Sequence, residues 1–175
     1  MALDLELIKK LREITSASIS DCKDALKEAN QNLEKAIEIL RKRGLEIALK
    51  KKDRKASEGR IESYVHPGNK IGVLLEVNCE TDFVARSDEF IRFTKDLTLQ
   101  IAACEPLYIS KEDVPKEELD KHKDNLEEFL KNSCLLEQPF IKNPSITIKD
   151  YLGELVAKVR ENIVIRRFIR YKLGE

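Results

Sequence analysis

The chain has 175 residues, enough for one domain or two small ones at roughly 100–200 residues per domain. Apolar residues make up 42 % and charged residues 37 %, with 32 bases against 32 acids, so a core is possible and no global charge draws the chain to nucleic acid. No apolar run nears the ~20 residues that span a bilayer, and MALDLELIKK places acids before its bases and lacks the apolar centre of a secretory signal.

Residues 3 to 43 read as three short helices. Leu3, Leu7, Ile8, Leu11 and Ile14 share one face. TSASIS interrupts that pattern, and Ser20 is placed to cap DCKDALKEA, where Cys22, Ala25, Leu26 and Ala29 line up. Asn30 to Asn32 make a turn. Leu33, Ala36, Ile37 and Leu40 then mark a third helix, with Gly44 at its expected end. So small a bundle is marginal alone and needs support from the core or a partner.

Residues 45 to 57 read as a linker or a solvated helix. Between Arg41 and Lys55 lie Arg41, Lys42, Arg43, Lys50, Lys51, Lys52, Arg54 and Lys55, against Glu46 and Asp53. This basic run offers an alternative reading, an RNA- or ribosome-binding module. No aromatic is interleaved for base stacking, so a solvated hinge is preferred and no direct nucleic-acid contact is expected.

A hairpin follows: RIESYVH and KIGVLLEVN joined by Pro67, Gly68 and Asn69. The run Ile71, Val73, Leu74, Leu75 and Val77 is continuous enough to predict cover on both faces. Phe90, Phe93, Leu97, Ile101 and Cys104 mark a long helix closed by Pro106. Pro115 begins another, lined by Leu119, His122, Leu126, Phe129 and Leu130. Pro139 forces an extended link. Thr147 and Asp150 form a capping box for a helix bearing Tyr151, Leu152, Leu155, Val156 and Val159. In NIVIRRFIRYKL the odd positions Ile163, Ile165, Arg167, Ile169, Tyr171 and Leu173 predict one strand face, with Phe168 on the other. The fold class is therefore α+β: a three-helix module at 1–44, a basic linker at 45–57, and a 58–175 core of at least three antiparallel strands with helices on one side.

Catalytic signatures do not emerge. GxxxxGK[ST], GxGxxG and GxSxG are missing. His66 reads as a turn residue, and His122 as a packing or surface residue on its helix. Cys22, Cys79, Cys104 and Cys134 are far apart, with no CxxC, and read as reduced, mostly buried cytosolic thiols rather than zinc ligands. A bundle, a linker and a core suggest instead a two-point grip on another macromolecule. No cofactor is called for.

The stretch NCETDFVARSDEF joins the hairpin to the long helix. By pattern alone, Phe83 packs under the helix that follows. Asp82 is an acid at a helix start, satisfying free backbone N–H groups.

Several stretches carry a family resemblance. LIKKLREITSASISDCKDALKEANQNLEKAIEILRKRG, NCETDFVARSDEF, PLYISKEDVP, LLEQPF and NIVIRRF resemble bacterial elongation factor Ts, in the family's order from residue 7 to near the end. The resemblance implies a cytoplasmic guanine-nucleotide exchange factor for elongation factor Tu, with a ubiquitin-associated-like N-terminal bundle. It implies that Asp82 and Phe83, flanked by Thr81 and Val84, intrude beside the nucleotide and its Mg²⁺. It places N-terminal contacts around Lys9, Arg12, Ile19 and Lys23.

Three features depart from the family pattern. The family commonly reads TGAG where this chain has Thr15-Ser16-Ala17-Ser18, and serine tolerates positive φ less well than glycine, so a different loop shape is expected. Ser20 stands where a larger apolar residue is usual, leaving Ile19 to carry that contact. The single core, with a shortened helical insertion near 119–134, implies a homodimer in which a second copy completes the sandwich.

Overall fold

A computed structural model describes residues 4–15 and 17–175. Leu3 and Ser16 lie outside the described residues. The N-terminal module is α1 (Leu5–Thr15), α2 (Ile19–Glu28) and α3 (Leu33–Lys51). Their inner faces share a core of Ile8, Leu11, Cys22, Ala25, Leu26, Ala29 and Ala36, with Leu7 packed against it. Ile14 is exposed instead. The 30–32 turn uses left-handed backbone at Asn30 and Gln31, and Asn32 caps α3.

Two helix boundaries differ from expectation. Ser18, not Ser20, caps α2: its Oγ accepts from Asp21 N (3.1 Å) and donates to Asp21 Oδ2 (2.7 Å). Gly44 does not end α3. The helix runs on to Lys51, and Gly44 is buried where α3 crosses α8 (Ile148–Val159). Glycine served close approach there rather than chain reversal, and a periodicity reading cannot tell these uses apart.

Beyond α3 the core begins with β1 (Glu58–Val65) and β2 (Ile71–Cys79), an antiparallel hairpin closed by Asn69 N donating to His66 O. Strand β5 (Val164–Lys172) pairs with the other side of β2, giving the order β1-β2-β5. Packed on one face is α5 (Asp88–Cys104), which buries Phe90, Phe93, Leu97 and Ile101 against Val73, Leu75 and Val77. Helix α8 closes the same core with Ile148, Leu155 and Val156, and its predicted Thr147–Asp150 capping box is present. Tyr151, Leu152 and Val159 are only partly buried.

Three further expectations need correction. Residues 116–133 form not one helix but α6 (Lys116–Lys121), a 3-10 turn and α7 (Leu126–Ser133), with His122 stacked on Phe129 at 4.2 Å. The extended stretch predicted at Pro139 is present but is not a bare link: β3 (Pro139–Phe140) pairs with β4 (Asn143–Thr147) in a small ladder. Third, the odd-numbered residues of β5 do not share a face. Glu76 pairs with Arg167 but Val77 pairs with Ile165, so Arg166 is a bulge and the parity flips. Ile163 and Ile165 enter the core, whereas Ile169 and Tyr171 turn outward.

Within one chain, then, β2 is covered on one face only. The opposite face presents Ile61, Val65, Leu74, Ile169 and Tyr171 to solvent. The four cysteines are free thiols, with Cys22, Cys79 and Cys134 buried.

Candidate functional site

The corner between β2 and α5 is built from two successive caps. Thr81, in extended backbone, caps the one-turn helix α4 (Asp82–Ala85), its Oγ accepting from Val84 N at 3.3 Å. Ser87 then caps α5, accepting from Phe90 N (3.3 Å) and donating to Val84 O (2.8 Å). Val84 and Ala85 are buried, which pins the turn to the core.

Phe83 points the other way and is 83 % exposed. The expectation that it packs beneath α5 is overturned: burying a Phe is worth roughly 1.5–3 kcal/mol, and here that gain is forgone. One exposed apolar side chain is ordinary on a protein surface. This one stands on a turn fixed on both sides. Asp82 does stand in the first turn of a helix, but it does not satisfy that helix's free N–H groups. Thr81 is the cap, and the Asp82 carboxylate instead accepts from Arg86 Nη2 at 2.8 Å on the surface.

Sequence reasoning missed the brace. Glu161 Oε2 accepts from Glu80 N and Thr81 N, both at 3.0 Å, while Oε1 accepts from Thr81 Oγ at 2.6 Å. Asn162 N donates to Glu80 Oε1 at 2.7 Å. The Asn162 amide donates to Lys52 O (3.2 Å) and Arg54 O (2.7 Å), tying in the end of α3. These partners are some 80 to 110 positions apart in the chain, so no local pattern could have flagged them. The only signal was two polar residues heading an apolar strand, Glu161 and Asn162 before Ile163. Beneath the corner, the Cys79 thiol donates to Thr81 O at 3.1 Å. Burial, and then the nearby Glu161 carboxylate, push its pKa up to about 11.

Lys9, Arg12, Ile19 and Lys23 are all exposed on the N-terminal module. Lys9 and Arg12, three apart, share a face of α1, and Ile19 and Lys23, four apart, share a face of α2. Lys9 pairs with Glu6 at 2.9 Å. Arg12 lines a cleft of about 270 Å³ with Asp21, Gly44 and Arg160. Arg160 Nη2 reaches Asp21 Oδ2 at 3.2 Å, linking this module to the residue beside Glu161. The structure thus has 81–84 as one tip and places Lys9 and Arg12 on α1 and Ile19 and Lys23 on α2 of the separate N-terminal module, which Arg160 ties to the segment bearing Glu161. Within the basic run, Arg41, Arg43 and Arg54 face Glu154, Glu28 and Glu80. No group of metal-ligating side chains occurs among the described residues, and no described helix is long and apolar enough to cross a membrane.

Fold and corner together define an α+β protein that presents a braced apolar tip beside a helical module. Residues 3–128 and 123–175 match the family model described as Elongation factor TS. The chain is 52 % identical over 192 residues to elongation factor Ts of Carboxydothermus hydrogenoformans, covering 97 % of this chain and 88 % of that one. It is 50 % identical over 195 residues to elongation factor Ts of Caldanaerobacter subterraneus subsp. tengcongensis, covering 99 % and 98 %. The chain belongs to the elongation factor Ts family of translation elongation factors.

Proposed function

We propose that this chain is a cytoplasmic guanine-nucleotide exchange factor that binds elongation factor Tu–GDP and promotes GDP release by inserting the Thr81–Val84 corner near the nucleotide and its Mg²⁺. The observation that carries this reading is Phe83, exposed on a turn that buried Val84 and the hydrogen bonds of Thr81 hold in place. A fixed aromatic can wedge apart packed elements of a partner without losing its own order on contact, which keeps the entropic cost of binding low. Mg²⁺ demands near-ideal octahedral geometry, so a small displacement of its ligands weakens it sharply. Asp82, on the same exposed turn, can compete for the polar groups that hold that ion and its waters.

Proton transfer plays no role in this mechanism. The factor binds the nucleotide-free GTPase best, and by reciprocity nucleotide binding expels the factor. The N-terminal residues 1–44, ubiquitin-associated-like in this reading, supply the second grip through Lys9, Arg12, Ile19 and Lys23. Residues 58–175 act as the wedge-bearing and dimerisation unit. The open apolar face of β1-β2-β5 suits a second copy of the chain, giving a symmetric homodimer. The decisive experiment is release of labelled GDP from the cognate GTPase with wild type and with Phe83→Ala. Slower release with the variant supports the reading, and equal rates reject it.

A further inference from the structure

We propose that Glu161 is a positioning residue for nucleotide release: it sets the pose of the 81–84 turn, and so of Phe83, without touching the partner. The inference rests on the wedge reading above. An isolated helical turn is unstable in water, so α4 cannot hold Phe83 by itself. What holds it enters from the far end of the chain. Both Glu161 carboxylate oxygens are occupied by the corner, taking Glu80 N, Thr81 N and the Thr81 hydroxyl. With its proton directed to Glu161, the Thr81 oxygen turns a lone pair to Val84 N, the contact that closes the turn around Phe83. Bonds to a charged acceptor are about twice as strong as neutral ones, which suits a brace on an exposed turn.

The segment carrying Glu161 is itself fixed on both sides. Arg160 ends α8 in left-handed backbone (φ 59°) and is bonded to Asp21. Asn162 is bonded to Glu80 and to the last residues around α3. Residues 160–162 therefore reference the tip to the N-terminal module as well as to the core. Two contact surfaces that must meet one partner together need such a common frame.

The test is GDP release at saturating factor, measured for Glu161→Ala, Phe83→Ala and the double variant. Glu161→Ala should slow release by about tenfold to a hundredfold, the scale of loss for a misplaced group. The concentration of factor giving half the maximal rate should not change, because binding outside the tip is intact. In the Phe83→Ala background, Glu161→Ala should cost less than it does alone, the remainder being what a misplaced Asp82 loses. Glu161→Gln, which keeps the reach and an oxygen for Glu80 N and Thr81 N but puts an NH2 where Oε1 accepts from the Thr81 hydroxyl, should recover only part of the rate. Glu161→Asp, which keeps the charge but shortens the reach, should not restore the rate, and it carries the test if the alanine variant does not fold. Full activity of folded Glu161→Ala beside a slow Phe83→Ala overturns this inference alone. So do fully additive losses in the double variant, or an Asp variant with the wild-type rate. A Phe83→Ala variant with the wild-type rate rejects the wedge reading itself and this inference with it.

Discussion

Phe83 and Val84 are chain neighbours with opposite surroundings: Phe83 is 83 % exposed and Val84 is 7 % exposed. Their truncations should therefore separate stability from exchange. Phe83→Ala should shift unfolding free energy by less than about 0.5 kcal/mol, as exposed substitutions do, yet slow GDP release by orders of magnitude. Val84→Ala removes buried methyl groups and should cost about 1–3 kcal/mol. Urea unfolding alongside labelled-GDP release checks both.

Asp82 and Arg86 form a surface pair at 2.8 Å, four residues apart. Such pairs contribute about 0.3–0.5 kcal/mol, so Asp82→Asn should leave the melting temperature nearly unchanged. If the Asp82 charge acts on the partner's Mg²⁺ site, Asp82→Asn slows release while Arg86→Ala does not. Equal effects from the two variants would show that only their mutual pairing matters.

At the crossing of α3 and α8, a methyl group on Gly44 would stand 3.0 Å from Gly153 O, which is backbone and cannot swing aside. Gly→Ala in a helix interior ordinarily gains roughly 1 kcal/mol. Here Gly44→Ala should lose stability instead, and Gly44→Val should lose more, by separating the helices. Thermal unfolding of the two variants decides it.

The outward face of the three-stranded sheet carries Leu74 and Ile169 directly opposite one another. Sedimentation equilibrium at micromolar concentration should give about twice the 20.2 kDa chain mass. A charge on that face, Leu74→Glu, should yield monomer with the fold intact. A wild-type chain that sediments as a monomer rejects the dimer.

The thiol of Cys79 has its pKa raised by burial from 9.0 to about 11, and Cys134 likewise to about 11. Between those values the native chain keeps protons that the unfolded chain has lost. Stability therefore falls as pH rises through that window and is unaffected by these groups below it. Cys79→Ala should flatten the fall in urea stability between about pH 9 and 11. An unchanged slope would show that Cys79 does not contribute to it.

Much of this molecule was legible locally. The hairpin at Pro67–Asn69, the Thr147–Asp150 capping box, and the apolar stripe Phe90–Phe93–Leu97–Ile101 depend on neighbours within a few residues, and each is present as read. The family, too, was written in short ordered motifs. What the sequence could not supply were contacts between distant segments. Gly44 reads as a helix end until Gly153 is seen against it. The odd residues of β5 read as one face until pairing with β2 exposes the bulge at Arg166. Phe83 reads as core because apolar side chains usually are, and whether one is buried depends on what the rest of the chain places over it. Sequence determined that a turn would stand at TDFV. Only the tertiary structure decided that Phe83 faces solvent and that Glu161, from the far end of the chain, holds it there, because burial and long-range hydrogen bonds exist only once the segments have packed.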